Sequence, residues 1–354
     1  MRYLKTGLTH HDPAAATPGF TLFTPLDLPR TILLNMAGEE VHDWEIAGKS
    51  TSYTHLLANG NLLAATKTGD SPTLPQAGGL MRELDWDGNL VWEHDDPGQH
   101  HDFRRLTNGN TAYLAWTLMP EEYAKRVQGG VPGSEHEDGI WGDVIREVDG
   151  DGNLKFEWRG WEHLAIEDYP LGPKSNRHVF AHPNTLFPMA GGDYLICFRH
   201  IDLLAIVERD TGEISWLHHD AELGGPHDAQ FLANGNMMIF ANRDGLRPIG
   251  SAVIEFNHLT GEEVWSYRGN PGHSFDSTFI SGCQRLWSGN TLICEGLWGR
   301  VFEVSPDGDI VWEYINPHSF YRDFGVSMGD VNYVFRAYRY AADGPEIQGR
   351  LGVA

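Results

Sequence analysis

Basic residues are scarce in this sequence, and long apolar runs are missing. The 354 residues include 26 Lys and Arg against 49 Asp and Glu, which gives a formal net charge of −23 at pH 7. Such a surface repels nucleic-acid phosphates and anionic lipids. No stretch reaches the roughly 18 apolar residues of a membrane helix, and the amino end lacks the apolar core of a signal peptide. We therefore expect a cytoplasmic protein with no nucleic-acid partner and no membrane partner.

Cysteine is nearly absent, and so are the common nucleotide motifs. Cys197, Cys283 and Cys294 are an odd number without CxxC spacing, which favours neither a disulfide framework nor a zinc knuckle. We expect each thiol to pack as a small apolar group. The sequence has no Walker loop and no GxGxxG after a predicted strand, so no motif predicts a nucleotide site.

One motif recurs along the chain, a short apolar run followed by a Gly-Asn or Gly-Asp turn and a second apolar run. Each copy predicts a β-hairpin, because these turn residues supply the positive φ that tight hairpin turns need. The copies lie at 55–65, 104–114, 185–198, 230–240 and 284–294.

A second motif follows these copies, an alternating strand, an Asp/Gly turn and a strand that carries an aromatic residue. Its copies lie at 33–46, 82–94, 146–158, 207–219, 255–267 and 303–315. Six copies predict an all-β fold, a six-bladed β-propeller. The chain begins with the second motif and ends with a lone first motif, so strands at about 20–47 and 326–340 should complete one shared blade and close the ring.

The repeat leaves no independent domain boundary, so residues 1–354 are expected to form a single β-propeller domain. Residues 117–139 interrupt the repeat, and their sequence predicts a loop with a short helix near 120–127. We expect it to be either a lid or an inert surface excursion.

Histidines occupy corresponding places in several copies of the first motif. His101 and His227 each lie eight residues before a turn glycine, and His182 lies ten before another. Because the first strand of a blade enters beside the propeller axis, the three imidazoles are expected to converge on one funnel. The adjacent pair His100 and His101 could bind a metal ion, but adjacent residues of an extended strand point in different directions, so we expect only one of them to face the funnel.

A second set of residues lies seven positions after the turn glycines. Arg199 is its informative member, since a guanidinium in an apolar strand must meet an anion, either a protein carboxylate or a ligand. The set comprises Lys67, Trp116, Arg199, Asn242 and Gly296.

Four phrases of this sequence resemble the bacterial arylsulfotransferase family. They are HHDF (100–103), HPNTLF with GDYLICFRH (182–200), GPHDAQFLANGNMMIFANRDG (225–245) and ISGCQRLWSGNTLICEG (280–296). Members of this family are six-bladed propellers that move a sulfuryl group from one phenol to another without a nucleotide donor. The likeness extends from about residue 20 to residue 340.

The resemblance implies a role for each matched site residue. His227 would accept the sulfuryl group, while His101, His182 and Arg199 would bind the donor, and Asn184 matches the family motif as well. An aryl sulfate and a phenol would be the small-molecule partners, and no cofactor would be required. We take the remaining candidates for substrate binding to be Asn184, Lys67, Asn242, Trp116 and His100.

Two other classes of function remain open. Three imidazoles with an open position suit zinc or manganese, so His101, His182 and His227 could hold the metal of a lyase or hydrolase. The chain could also be a non-catalytic propeller that binds partners on its rims. Metal content separates the first alternative from sulfuryl transfer, and a lack of turnover on aryl sulfates would favour the second.

Overall fold

A computed structural model of the chain describes residues 5–74, 76–173, 175–323 and 328–352. The strands as far as the middle of the chain are β1 (Gly7–His11), β2 (Phe20–Pro25), β3 (Arg30–Leu34), β4 (Glu40–Glu45), β5 (His55–Leu56), β6 (Leu62–Lys67), β7 (Gly79–Leu84), β8 (Leu90–Asp95), β9 (Gln99–Arg105), β10 (Thr111–Leu118), β11 (Trp141–Val148) and β12 (Leu154–Arg159).

The later strands are β13 (Pro183–Pro188), β14 (Tyr194–Phe198), β15 (Leu203–Val207), β16 (Ile214–His219), β17 (His227–Phe231), β18 (Met237–Ala241), β19 (Ala252–Phe256), β20 (Glu263–Arg268), β21 (Gly282–Arg285), β22 (Thr291–Glu295), β23 (Arg300–Val304), β24 (Ile310–Ile315), β25 (Phe320–Asp323), β26 (Met328–Val331) and β27 (Val334–Tyr340). The α-helices are α1 (Glu121–Ala124) and α2 (Gly160–His163), and the 3-10 helices are Ile166–Asp168, Ala221–Leu223, Gly272–Ser274 and Gly296–Trp298. In the described part of the chain, neither α-helix has the length or apolar character to cross a bilayer.

The strands form a six-bladed β-propeller, which confirms the predicted fold class. Blade 1 has the order β27-β2-β3-β4, and blades 2 to 6 are β5–β8, β9–β12, β13–β16, β17–β20 and β21–β24. The ring is therefore closed by strands from both ends of the chain, as predicted. In addition, β1 pairs with β24 and becomes a fifth strand of blade 6.

The predicted boundaries of the closing blade need one correction. Because β2, β3 and β4 already supply three strands, blade 1 has room for only one more, and Val334–Tyr340 fills it. The first part of the predicted segment 326–340 does not enter the blade. Met328–Val331 instead pairs with Phe320–Asp323 as a separate hairpin, and residues 326 and 327 lie outside the described residues.

Indole groups join each blade to the next around the whole ring. A tryptophan on the fourth strand of every blade donates its N–H to a carbonyl in the outer turn of the following blade, at 2.8–3.1 Å. Each bond contributes about 1 kcal/mol, and the last returns to blade 1. The pairs are Trp44–Asp85, Trp92–Gly150, Trp158–Gly212, Trp216–His258, Trp265–Pro306 and Trp312–Met36.

The apolar core lies between the facing sides of neighbouring blades. Leu195 and Cys197 of blade 4, for example, pack in one buried cluster with Met237 and Ile239 of blade 5. The three cysteines are free and buried, which confirms that they pack as small apolar groups. No disulfide is needed, because each blade buries both of its faces against its neighbours.

The insertion after β10 packs against a second long loop. Its helix α1 covers only part of the predicted 120–127. Backbone hydrogen bonds join it to the segment before β13, from Gly130 N–H to Leu171 O at 3.1 Å and from Val131 N–H to Ser175 O at 2.9 Å. The second loop, residues 160–182, was not singled out from the sequence. Its end, from Ser175 to Val179, forms part of the wall of the cavity described next.

Candidate active site

The predicted histidines meet in one cavity of about 380 Å³. His101 comes from β9 of blade 3, His182 directly precedes β13 of blade 4, and His227 begins β17 of blade 5. Arg199 follows β14 and lies on the same wall. The structure therefore brings together the four residues that the sequence indicates for catalysis, while the chemical role of each stays a prediction.

Backbone irregularities direct two of these side chains. His101 lies where the pairing of β9 with β10 slips, and its φ is +50°. His182 has a φ of +55° just outside β13. Non-glycine residues rarely adopt this left-handed conformation, and a bulge turns a side chain away from its place in a regular strand. The pairing of β13 with β14 is regular from Pro188 to Thr185 and slips only between Thr185 and Pro183, so a longer regular run of β13 contributes to the different offset of His182 from its turn glycine.

A fixed asparagine determines which nitrogen of His227 carries hydrogen. The Asn242 amide N–H group donates to the carbonyls of Ser277 and Ile280, at 2.7 and 2.9 Å. Its oxygen must then face His227, whose Nδ1 lies 2.7 Å away and also 3.0 Å from Gly225 O. Since both neighbours are acceptors, Nδ1 holds the proton. Nε2 keeps its lone pair, and it has no hydrogen-bond partner among the described residues.

Imidazole and phenyl rings in mutual contact extend the wall beyond His227. The rings of His101 and His182 lie 4.7 Å apart, and His182 stacks on His200 at 4.4 Å. Phe335 of β27 forms an apolar part of the wall, 5.9 Å from the ring of His101 and 6.2 Å from that of His227. The cavity thus offers flat apolar and imidazole surfaces to a bound aromatic ring.

The imidazoles of His101, His182, His200 and His227 are neutral near pH 7. Burial lowers the pKa of both His101 and His200 to about 3. Burial also holds the pKa of His182 and His227 well below the ordinary value, and the nearby Arg199 cation lowers both further. Neutral imidazole is the nucleophilic form of histidine, so protonation does not have to be reversed before His227 can react.

Among the described residues, Arg199 has no close ion pair with a carboxylate. Its guanidinium lies 3.8 Å from Asp244, whose side chain is half exposed. Burial lowers the pKa of Arg199, although a guanidinium remains charged at neutral pH. The distance favours a bound anion over a structural ion pair, which were the two roles that the sequence left open.

The five remaining candidates do not line this cavity. His100, Trp116, Asn184 and Asn242 are buried behind its wall. Asn184, for example, donates to the carbonyl of Pro226 at 2.7 Å, directly before His227. Lys67 lines a smaller neighbouring cavity with Ser50 and Thr51. The geometry thus suits the four buried residues to positioning, and it places Lys67 away from the imidazoles.

Comparison with known proteins identifies the family. The family model described as arylsulfotransferase (ASST) matches residues 54–317. The chain belongs to the arylsulfotransferase family. No curated protein matches it.

Solved structures share the propeller of this family member at low sequence identity. A protein of unknown function from Bacteroides caccae is 14% identical, with 92% of this chain and 100% of that chain covered and a TM-score of 0.57. A streptogramin B lyase is 11% identical, with 94% and 95% covered and a TM-score of 0.50. At these identities the likeness shows the fold alone.

Proposed function

We propose that this arylsulfotransferase-family propeller moves a sulfuryl group from an aryl sulfate to a phenol through His227. The observation that carries the proposal is the fixed tautomer of His227, whose unprotonated Nε2 shares the cavity with the Arg199 cation. A nucleophile with a free lone pair beside an anion-binding group is what sulfuryl transfer requires. The family membership supports the transferase class.

The transfer divides into two displacements. In the first, Nε2 of His227 attacks sulfur, the bond from sulfur to the aryl oxygen breaks, and a phenoxide leaves with that electron pair. In the second, the oxygen of an acceptor phenol attacks the same sulfur and the N–S bond breaks. The cavity volume of about 380 Å³ is near the lower end for small-molecule sites, which suits substrates that bind in turn.

Intact mass spectrometry tests the covalent step. The wild-type protein, mixed with 4-nitrophenyl sulfate without an acceptor, should gain the mass of one SO₃ group on the peptide that contains His227. Addition of a phenol should remove this mass and yield the sulfated phenol. Release of nitrophenol without any adduct would contradict the histidine intermediate.

Replacement of Arg199 by alanine should slow the first displacement. The guanidinium would stabilise the negative charge that develops on the sulfuryl oxygens in the transition state. Loss of one such preorganised group lowers the rate by about 10²–10³-fold. Single-turnover release of nitrophenol measures this step, and thermal unfolding shows whether the fold is kept. Arg243→Ala is the matched control, because that arginine is paired near the same rim with Glu222 at 3.5 Å. Full activity with lower stability would instead make Arg199 a structural residue.

The metal alternative stays a prediction. Within the described ranges, no group of three or more His, Cys, Asp or Glu side chains is arranged to hold a metal ion. Metal analysis of the purified protein, followed by assay after chelation, decides between the two chemistries.

A further inference from the structure

A buried carboxyl group lies behind the wall of the cavity. Asp143 of β11 is 4% exposed. Its Oδ1 accepts the indole N–H of Trp116 at 2.9 Å, and its Oδ2 accepts the backbone N–H of His182 at 3.1 Å. Nε2 of His100 approaches Oδ1 of Asp143 at 3.5 Å. Burial raises the pKa of Asp143 to about 8, so this carboxyl holds a proton near neutral pH.

His100 connects this carboxyl to the cavity. It is fully buried, and its ring stacks on Trp116 at 4.1 Å. Its Nε2 lies 3.5 Å from Oδ1 of Asp143 and makes no hydrogen bond among the described residues in this geometry, so proton transfer between the two requires this contact to shorten. Its Nδ1 lies 2.8 Å from Nδ1 of His101. Two imidazole nitrogens at this distance share one hydrogen, which one donates and the other accepts.

His101 ends the chain of contacts in the cavity. Because its Nδ1 is engaged by His100, its Nε2 is the nitrogen available to a bound substrate. The charged groups that face His101 are Arg336, Arg199 and Asp102. The two cations oppose a positive charge on this ring, so Nδ1 does not gain a proton before Nε2 loses one. Loss of the Nε2 proton alone would leave an imidazolate, so the two transfers must occur together.

We propose that Asp143, His100 and His101 form a proton relay that protonates the departing phenoxide and recovers a proton from the acceptor phenol. The inference rests on the proposed sulfuryl transfer and adds the path of the proton to it. Before reaction, Asp143 is a carboxylic acid, His100 carries hydrogen on Nδ1, and His101 carries hydrogen on Nε2.

The first displacement moves three protons by one step each. As the bond from sulfur to oxygen breaks, the phenoxide takes the proton from Nε2 of His101. Nδ1 of His101 takes the proton from Nδ1 of His100, and Nε2 of His100 takes the proton from Asp143. A neutral phenol leaves, both imidazoles stay neutral, and Asp143 becomes a carboxylate. The second displacement reverses each step, since the acceptor phenol must lose its proton to attack.

Leaving-group dependence tests the relay. Asp143→Asn keeps the shape of the side chain but has no acidic proton. For 4-methylphenyl sulfate, whose phenol has a pKa of about 10 as tyrosine does, single-turnover transfer should slow about 10²-fold. For 4-nitrophenyl sulfate, whose phenoxide is much more stable, the rate should fall by less than about threefold. His100→Phe, which cuts the same chain at its middle, should give the same pattern.

A matched variant and a double variant separate the relay from a structural role. Trp116→Phe removes the indole N–H that bonds to the same oxygen of Asp143 but leaves the proton relay intact. Any change in transfer rate should therefore be the same for 4-methylphenyl sulfate and 4-nitrophenyl sulfate. The Asp143→Asn/His100→Phe double variant should be no slower than the slower single variant, because both changes break one path. Thermal unfolding of every variant accompanies the kinetics.

Two results would overturn the inference. If Asp143→Asn and His100→Phe slowed transfer from 4-methylphenyl sulfate and 4-nitrophenyl sulfate equally, these residues would have a structural role. Wild-type protein that transfers sulfuryl from neither donor would reject the proposed function, and the relay with it. Normal wild-type transfer with equal slowing in the variants rejects the relay alone.

Discussion

His227→Asn should abolish the sulfuryl adduct and reduce turnover of 4-nitrophenyl sulfate by at least about 10⁴-fold, as expected when an enzyme loses its nucleophile. An asparagine amide nitrogen has no lone pair available to attack sulfur. The measurement is single-turnover release of nitrophenol together with intact mass.

The matched control for this variant is His200→Asn. His200 lies on the same wall, stacks on His182 and is also neutral because burial lowers its pKa to about 3. It therefore tests whether any imidazole of the cavity would serve. We expect His200→Asn to keep the adduct. Loss of the adduct in both variants would mean that the wall as a whole, and not one nitrogen of His227, carries the chemistry.

The pH dependence of adduct formation follows from the lowered pKa of His227. A group whose pKa is depressed stays unprotonated down to that lower pKa, so the nucleophile is ready throughout the neutral range. With 4-nitrophenyl sulfate, the rate should be constant from about pH 8 to about pH 6, whereas an ordinary histidine would lose most of its reactive form at the acid end. A fall of that size would show that the imidazole is solvated.

A dead His227 variant does not by itself exclude a metal site, because loss of a metal ligand would have the same effect. Adduct formation by wild-type protein, with and without chelation, distinguishes the two chemistries. Under sulfuryl transfer, chelated protein forms the adduct as well as untreated protein does. If His101, His182 and His227 held manganese or zinc, metal would be stoichiometric and chelation would remove activity.

The propeller was predictable because its signals are local. Each hairpin turn and each aromatic strand lies within about a dozen residues, so the sequence carries six copies of the same short pattern. Strand β1 was missed for the opposite reason. Its partner β24 lies some 300 residues away, and the segment Gly7–His11 has no turn or alternation that would mark its place. Segment 326–340 has the repeat pattern, but β2, β3 and β4 already occupy the other places in the blade.

The candidate site was predictable only in part. Position relative to the turn glycines identified His101 and His227, because equivalent strands start at the same distance from the axis. It could not separate residues on the cavity wall from those behind it, and so grouped Asn242 with Arg199. Asp143 was missed because it lies on a third strand of a blade, where the repeat predicts nothing special. Its importance comes from contacts with His100 and His182, which the fold alone creates.

Arg336 was missed as well, although it joins the blades at the axis. It is fully buried on β27 and contacts Asp102 of blade 3 at 3.0 Å and Asp228 of blade 5 at 3.3 Å. It also donates to Asn184 O and to the hydroxyl of Thr185 in blade 4, both at 2.7 Å. Blade 1 is thereby tied to three others by one side chain.

The two carboxylates extend this network to the remaining blades. Asp102 accepts the backbone N–H of Leu186 at 2.9 Å and the hydroxyl of Tyr53, which lies just before blade 2. Asp228 accepts the backbone N–H of Cys283 in blade 6 at 2.9 Å. Since Asp102 follows His101 and Asp228 follows His227, the same network fixes two imidazoles of the candidate site.

Arg336→Met should therefore destabilise the protein by about 3–5 kcal/mol, the cost of leaving a buried charge without its partner. Urea unfolding should show a lower midpoint with an unchanged slope. Arg268→Met is the matched control, because Arg268 pairs with Glu263 at 2.8 Å on the surface, where such a pair contributes less than about 1 kcal/mol.

A second substitution identifies the origin of that loss. In Arg336→Met, Asp102 keeps Arg104 at 2.9 Å, while Asp228 has lost the cation at 3.3 Å. Asp228→Asn in the same chain removes the unpaired charge, and its amide oxygen can still accept from Cys283 N–H. The double variant should therefore be more stable than Arg336→Met alone, although each single change destabilises the wild type. If the two losses simply added, Arg336 would stabilise the ring by packing rather than by charge.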